Sequence, residues 1–253
     1  MYLCHNSHEP RKLSRTGHTS WSLTEVDFQD GPYLDTNTSS TTVQTSNTSG
    51  NSRTVTASSS IFVSSDVGRQ IRFKDGYAEI TAFGSGTSVT VNIKDDFADT
   101  STTTDWRLGA FSTSTGFPSC VSFFEQRLVF ANTTQQPQTL FFSKSGDYEK
   151  FTPGTNDDNG MVYTIASNQV NAIQALKATR TLICMTTGGE YAVSSGAAQD
   201  AITPTNVNIR KQSNYGSAGV DALSIGNATI FLQRAKRKIR ELAYNFDTDG
   251  YTA

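Results

Sequence analysis

Histidine is scarce and confined to one end of the chain: of 253 residues only His5, His8 and His18 are imidazoles. A serine or cysteine nucleophile elsewhere therefore has no histidine in its own segment to act as base, and no G-x-S-x-G elbow is present. Cysteine is equally sparse. Cys4, Cys120 and Cys184 cannot form a complete disulfide set and show no C-x-x-C spacing, which excludes a disulfide framework and a paired-thiolate zinc site. Cys120 and Cys184 lie inside apolar strand patterns and are expected as buried, reduced thiols. Charged residues make up 17% of the chain, and the formal charge is −2. That balance excludes a global attraction to nucleic acid and leaves only local contacts. No apolar run is long enough to span a membrane, and Met1-Tyr2-Leu3-Cys4-His5 passes at once into polar and basic residues without the apolar core of an export signal. Membrane insertion is not expected.

What the chain has instead is Ser, Thr, 19 glycines and 10% aromatic residues, the composition of many short strands joined by polar turns. Long amphipathic helical patterns are hard to find. Three stretches repeat one design. The first runs from Val121–Phe123 through Glu125-Gln126-Arg127 to Leu128–Phe130 and then Thr139–Phe142. The second pairs Ala172–Leu176 with Thr181–Met185, turns at Gly188-Gly189 and returns through Glu190–Val193. The third follows Val220–Ile225 with Ala228–Leu232, a basic turn and Lys238–Tyr244. Aligned on Leu128, Leu182 and Ile230, the copies lie 54 and 48 residues apart, near the roughly 40 to 50 residues of a four-stranded propeller blade. The fold expected is all-β: a partial β-propeller-like array of antiparallel meanders with a small inserted β-barrel or sandwich.

Composition divides the chain into three parts. Residues 1–52 read as an irregular arm with one strand in Trp21–Phe28 and a Ser/Thr-rich linker from Thr36 to Ser52, too poor in apolar groups to offset its ordering entropy. Residues 53–109 read as a small β-module with turns at Asp75-Gly76 and Gly84-Ser85-Gly86. In it the alternating sets Ile71/Phe73, Ala78/Ile80/Ala82 and Val89/Val91/Ile93 face inward. Residues 110–253 read as about three blades. Three meanders cannot close a propeller, so the last is expected to carry an open edge unless further chain or a neighbour covers it.

Candidate chemistry is thin. His5-x-x-His8 has a workable metal spacing but only Cys4 nearby as a further ligand. Asn245–Gly250 matches the first half of a calcium loop and lacks the closing carboxylate, so a turn is favoured. No catalytic, cofactor or metal residue is expected. The strongest charged feature is the hairpin tip Arg234, Lys236, Arg237, Lys238 and Arg240, five cations within seven residues. It reads either as a solvated turn or as a surface for phosphates or an acidic patch on a neighbouring subunit. Interleaved aromatics for stacking on single strands are missing.

Several segments together carry a resemblance. They are Pro10-Arg11-Lys12-Leu13 with Trp21–Tyr33, Asp66–Arg72, Phe117-Pro118-Ser119-Cys120 with Glu125-Gln126-Arg127-Leu128, and Ser143–Phe151. Across almost the whole chain these resemble the podophage tail nozzle, or tubular tail protein B, a family of tailed-bacteriophage virion proteins. Residues 53–109 also resemble a β-module likened to a catalytic cysteine half-domain of ubiquitin-activating enzymes. No cysteine lies between Arg53 and Gly109, so that likeness extends to a β-fold only. The nozzle resemblance implies a non-enzymatic virion protein, made in the host bacterial cytoplasm and self-assembling into a ring, hexameric by analogy. The ring would sit below the tail adaptor, contact tail fibre proteins and surround passing double-stranded DNA without reading its sequence. Members of the family continue well past a segment like Arg240-Glu241-Leu242, so a truncated or split version is expected here. The rival reading is a carbohydrate-binding or receptor-recognising tail β-protein, with Tyr33, Trp106, Tyr148, Tyr163, Tyr191, Tyr215 and Tyr251 as sugar-packing surface.

Overall fold

The computed structural model describes residues 1–197, 200–246 and 250–252. The described chain is all-β and antiparallel, and divides into two units, Met1–Asp27 with Phe117–Ala253, and Phe28–Gly116.

The N-terminal segment is not an irregular arm. It folds as a three-stranded meander of β1 (Tyr2–His5), β2 (His8–Arg15) and β3 (Trp21–Glu25). Cross-strand pairs hold it, Leu13 opposite Leu23 and Arg11 opposite Glu25, the latter an ion pair at 2.9 Å. The strand ends at Glu25, so Val26 and Phe28 lie beyond it, which is why the apolar positions of Trp21–Phe28 fit no single alternation.

The small unit begins before residue 53. Its strands are β4 (Val43–Thr45), β5 (Arg53–Ala57), β6 (Gln70–Phe73), β7 (Gly76–Ser85), β8 (Ser88–Asp95) and β9 (Trp106–Leu108), in the order β4-β5-β8-β7-β6-β9. The sheet curls into a half-barrel, and Val43 and Thr103 exchange two backbone hydrogen bonds of 2.9 Å between its ends. Val55, Ile71, Phe73, Ile80, Val89 and Val91 fill the inside. The Ser/Thr-rich segment expected as a linker belongs to this unit: Val43 and Thr45 are buried, and the Asn37 side-chain amide donates to the carbonyls of Ser39, Thr41 and Thr104. Such side chain-to-backbone bonds order a segment that has little apolar surface to bury. Ala82, expected inside, is exposed, because a register shift between Ile80 and Ala82 carries the rest of β7 off the alternation.

The other unit holds three successive four-stranded meanders. The first is β10 (Cys120–Phe124), β11 (Arg127–Ala131), β12 (Thr139–Phe142) and β13 (Met161–Thr164). The second is β14 (Ile173–Ala178), β15 (Leu182–Thr186), β16 (Gly189–Ser195) and β17 (Val207–Ser213). The third is β18 (Leu223–Ile225), β19 (Ala228–Leu232), β20 (Ile239–Asn245) and β21 (Gly250–Thr252). Val129, Leu140, Phe142, Leu182, Cys184 and Val193 form the core between the first two sheets. Ala175, Ile183, Met185, Phe231 and Leu242 form the core between the second and third. The middle sheet is thus covered on both faces, which is why β15 is buried at every position. The alignment on Ile230 slips by one residue. Leu182 faces the first sheet, but Phe231 rather than Ile230 faces the second, and in a strand a one-residue offset points a side chain to the opposite face.

Candidate functional site

The basic hairpin tip joins β19 to β20, and the structure splits its five cations into two groups. Arg234 and Arg240 are spent on the protein itself. The Arg234 Nη1 donates to the carbonyl of Thr187 at 3.2 Å. The Arg240 guanidinium lies 3.3 Å over the Tyr215 ring and donates to Gln233 Oε1 at 3.1 Å. Lys236, Arg237 and Lys238 are exposed and form no ion pair with a described residue. Lys236 adopts φ +57° at the apex. Three free cations on one turn make a compact positive spot in a chain whose net charge is slightly negative.

A second feature flanks the tip and was not read from the sequence. Leu223 and Ile225 on β18, Ile230 and Leu232 on β19, and Ile239 on β20 pair across strands on one face of the third sheet. That face is opposite the one carrying Phe231 and Leu242. It is bare: Leu223 is 63%, Ile225 65% and Ile239 75% exposed. The available signal was a second apolar stripe offset by one residue from the core stripe on the same strands.

Two of the segments that carry the family resemblance, Glu125–Leu128 and Ser143–Phe151, touch each other. The Arg127 guanidinium, in a residue only 2% exposed, donates to the carbonyls of Ser143 at 2.7 Å and Asn159 at 2.6 Å, and also to that of Asp157. The Leu128 N–H donates to Ser143 Oγ at 2.9 Å, and the Gly146 N–H to the Gln126 carbonyl at 2.8 Å. Glu125 Oε2 accepts the Ile202 N–H at 2.6 Å. Arg127, Leu128 and Gln126 thus clasp the loop between β12 and β13, and Glu125 holds the connection between β16 and β17.

The remaining candidates separate. His5 and His8 face each other with ring centroids 5.2 Å apart, and His5 Nδ1 accepts the Ser7 N–H. Among the described residues no cluster of three potential metal ligands occurs. Burial pushes the Cys4 thiol up to about 12 and the Cys120 thiol to about 11, away from nucleophilic use at neutral pH. Of the half calcium loop, Asp247, Thr248 and Asp249 lie outside the described residues. Among the aromatics, Tyr33 is buried with its hydroxyl on Asp30 at 2.9 Å, and Trp106 Nε1 donates to the Thr41 carbonyl at 2.9 Å. Tyr163 donates to the Pro204 carbonyl at 2.5 Å, Tyr191 is buried, and Tyr215 lies under Arg240. Tyr148 packs edge-on against Phe123 and Tyr251 against Tyr244. Compared with known proteins, the chain matches no family model and no curated sequence.

Proposed function

We propose that this chain is a structural component of a short bacteriophage tail, a nozzle or tail-tube subunit. It assembles into a ring below the adaptor and surrounds the path by which DNA leaves the virion. The observation that carries this reading is the bare apolar face of the third sheet. The middle sheet of the stack is covered on both sides, and the last one ends in Leu223, Ile225 and Ile239 with nothing from the described chain upon them. Exposed apolar surface of this kind marks an interaction site. A second copy fits it by charge. Glu241 stands exposed among those residues, opposite Ile230. The face of the N-terminal meander that carries Leu3, Leu13 and Leu23 also carries Arg15, a cation beside the ion-paired Arg11 and Glu25. Head-to-tail contact of two unlike faces generates a ring when the rotation closes. Lys236, Arg237 and Lys238 then supply sequence-independent phosphate contacts, and no enzymatic step is needed.

Electron microscopy of the purified chain, alone and with the adaptor from the same virion, tests the reading. Ring particles of one rotational symmetry are expected, six-fold by family analogy. Changing the three free cations to Ser should leave rings intact and lower the salt slope of duplex binding by about 3, one counterion for each phosphate no longer neutralised. Particles that stay monomeric even with the adaptor overturn the proposal.

A further inference from the structure

The two interfaces between consecutive meanders are built differently at their outer strands. Between the first and second sheets, Tyr163 on β13 and Val207 and Ile209 on β17 pack against the core and fill the space. Tyr163 closes it by donating to Pro204. Between the second and third sheets the matching positions are small or polar. Ala192 and Ser194 on β16 stand opposite Arg210 and Asn208 on β17. They leave a cleft of about 500 Å³ whose far wall is Tyr244 and Tyr251. The outer strands of the second wedge are therefore the more polar, while loops of the first two sheets border clefts of about 580 and 490 Å³ of their own.

The wall of the cleft is already ordered. Tyr244 and Tyr251 pack edge-to-face with centroids 5.5 Å apart. The Arg180 guanidinium covers Tyr244 at 5.5 Å. The Tyr251 hydroxyl lies 3.2 Å from the hydroxyl of Thr181, and Gln212 Oε1 accepts the Tyr251 N–H at 2.8 Å. Opposite them, the side chains of Asn208 and Arg210 have no hydrogen-bond or ion-pair partner among the described residues. The charged groups lining the cleft balance: Arg180 and Arg210 against Glu125 and Asp200.

We propose that this cleft binds a short neutral saccharide. A sugar ring needs an apolar face to lie against and both donors and acceptors for its hydroxyls. The half-buried Tyr244, backed by the buried Tyr251, supplies the first beside the aliphatic stem of Arg180, and guanidinium, amide and carboxylate groups supply the second. The balanced charge argues against a polyanion, for which a cationic lining would be required. The volume lies within the roughly 300 to 1,000 Å³ typical of small-molecule sites. This inference stands apart from ring assembly, since none of the bare apolar face lines the cleft.

The test is saturation-transfer NMR on the full chain with neutral trisaccharides of glucose, galactose, mannose and N-acetylglucosamine, beside a trigalacturonate and a hexanucleotide. At least one neutral trisaccharide should bind. Arg210→Gln and Asn208→Ala should each weaken it at least fivefold, and Ser194→Trp, which fills the cleft, should abolish it, with melting temperature as the control for folding. Loss of signal from all neutral sugars at millimolar concentration overturns the proposal. So does binding that the Arg210 and Asn208 variants leave unchanged, or a preference for the trigalacturonate or the hexanucleotide.

Discussion

A carboxylate with no exposed surface must find its compensation inside the protein or give up its charge. Glu190 on β16 is 0% exposed. One oxygen accepts the Ser213 hydroxyl, and the backbone N–H groups of Tyr215 and Gly216 also favour the charged form. Its Oε1, however, has no partner among the described residues. Burial outweighs these bonds and holds the Glu190 carboxyl above its ordinary value of 4.5. Arg127 makes the useful contrast, a buried cation whose guanidinium is shared among several carbonyls. The sign of the Glu190 effect follows from linkage. A group with a raised folded pKa contributes its stability in full below the unfolded value of 4.5, and that contribution is lost as pH rises through the folded value. Glu190→Gln cannot ionise and escapes the loss. Its stability relative to the parent chain should therefore climb between pH 4.5 and neutrality, by about 1.4 kcal/mol for each tenfold weakening of the acid. Urea denaturation across that range measures it, and a difference that stays flat with pH would show that Glu190 is ionised in the fold.

Turns and strand partners show where sequence reasoning reaches its limit. Inner strands such as Leu128–Phe130 and Leu182–Met185 are legible because they are apolar throughout, being covered on both faces. The fourth strand of each meander is not. Val207–Ser213 is mostly half-buried or exposed and carries Asn208, Arg210, Lys211 and Gln212, while Gly250–Thr252 has only three residues. The cleft and the bare face were missed for the same reason, since both depend on which face of a strand meets a neighbour. The turn at Asp75-Gly76 is displaced by one residue. Lys74 and Asp75 take φ of +47° and +62° and form the two-residue loop, and Gly76 closes the hairpin opposite Phe73. Glycine is needed at 76 for space: a Cβ there would stand 2.6 Å from the carbonyl oxygens of Asp95 and Asp96. The two positions should therefore respond in opposite ways. Asp75→Gly relieves a left-handed residue and should stabilise by about 1 kcal/mol, whereas Gly76→Ala forces backbone apart and should destabilise by about 2 kcal/mol. Equal effects at the two sites, read from denaturation midpoints, would refute this account of the turn.

At the scale of the whole molecule, the question is what a stack of sheets does with its last face. Each sheet in the meander unit repeats the same four-strand order, so each presents one face to the sheet before it and one to the sheet after. Only the third has its following face uncovered by described residues, and Leu223, Ile225 and Ile239 stand exposed there beside Glu241. A face covered by a sister copy and a face that tolerates solvent differ in their response to charge. Leu223→Asp with Ile239→Asp places two carboxylates at exposed positions of the isolated chain, where surface changes cost within about 0.5 kcal/mol. In an assembled ring the same carboxylates would be buried without partners, costing several kcal/mol per interface. The double variant should therefore fold with an unchanged melting temperature and, if the proposed ring closes through this face, sediment as a monomer where the parent chain assembles. Val170→Asp, equally exposed at 74% but in the connection between β13 and β14, should leave assembly intact. Rings that survive the double change would place the subunit contact elsewhere. Rings lost equally in the Val170 variant would point to a general effect of added negative charge.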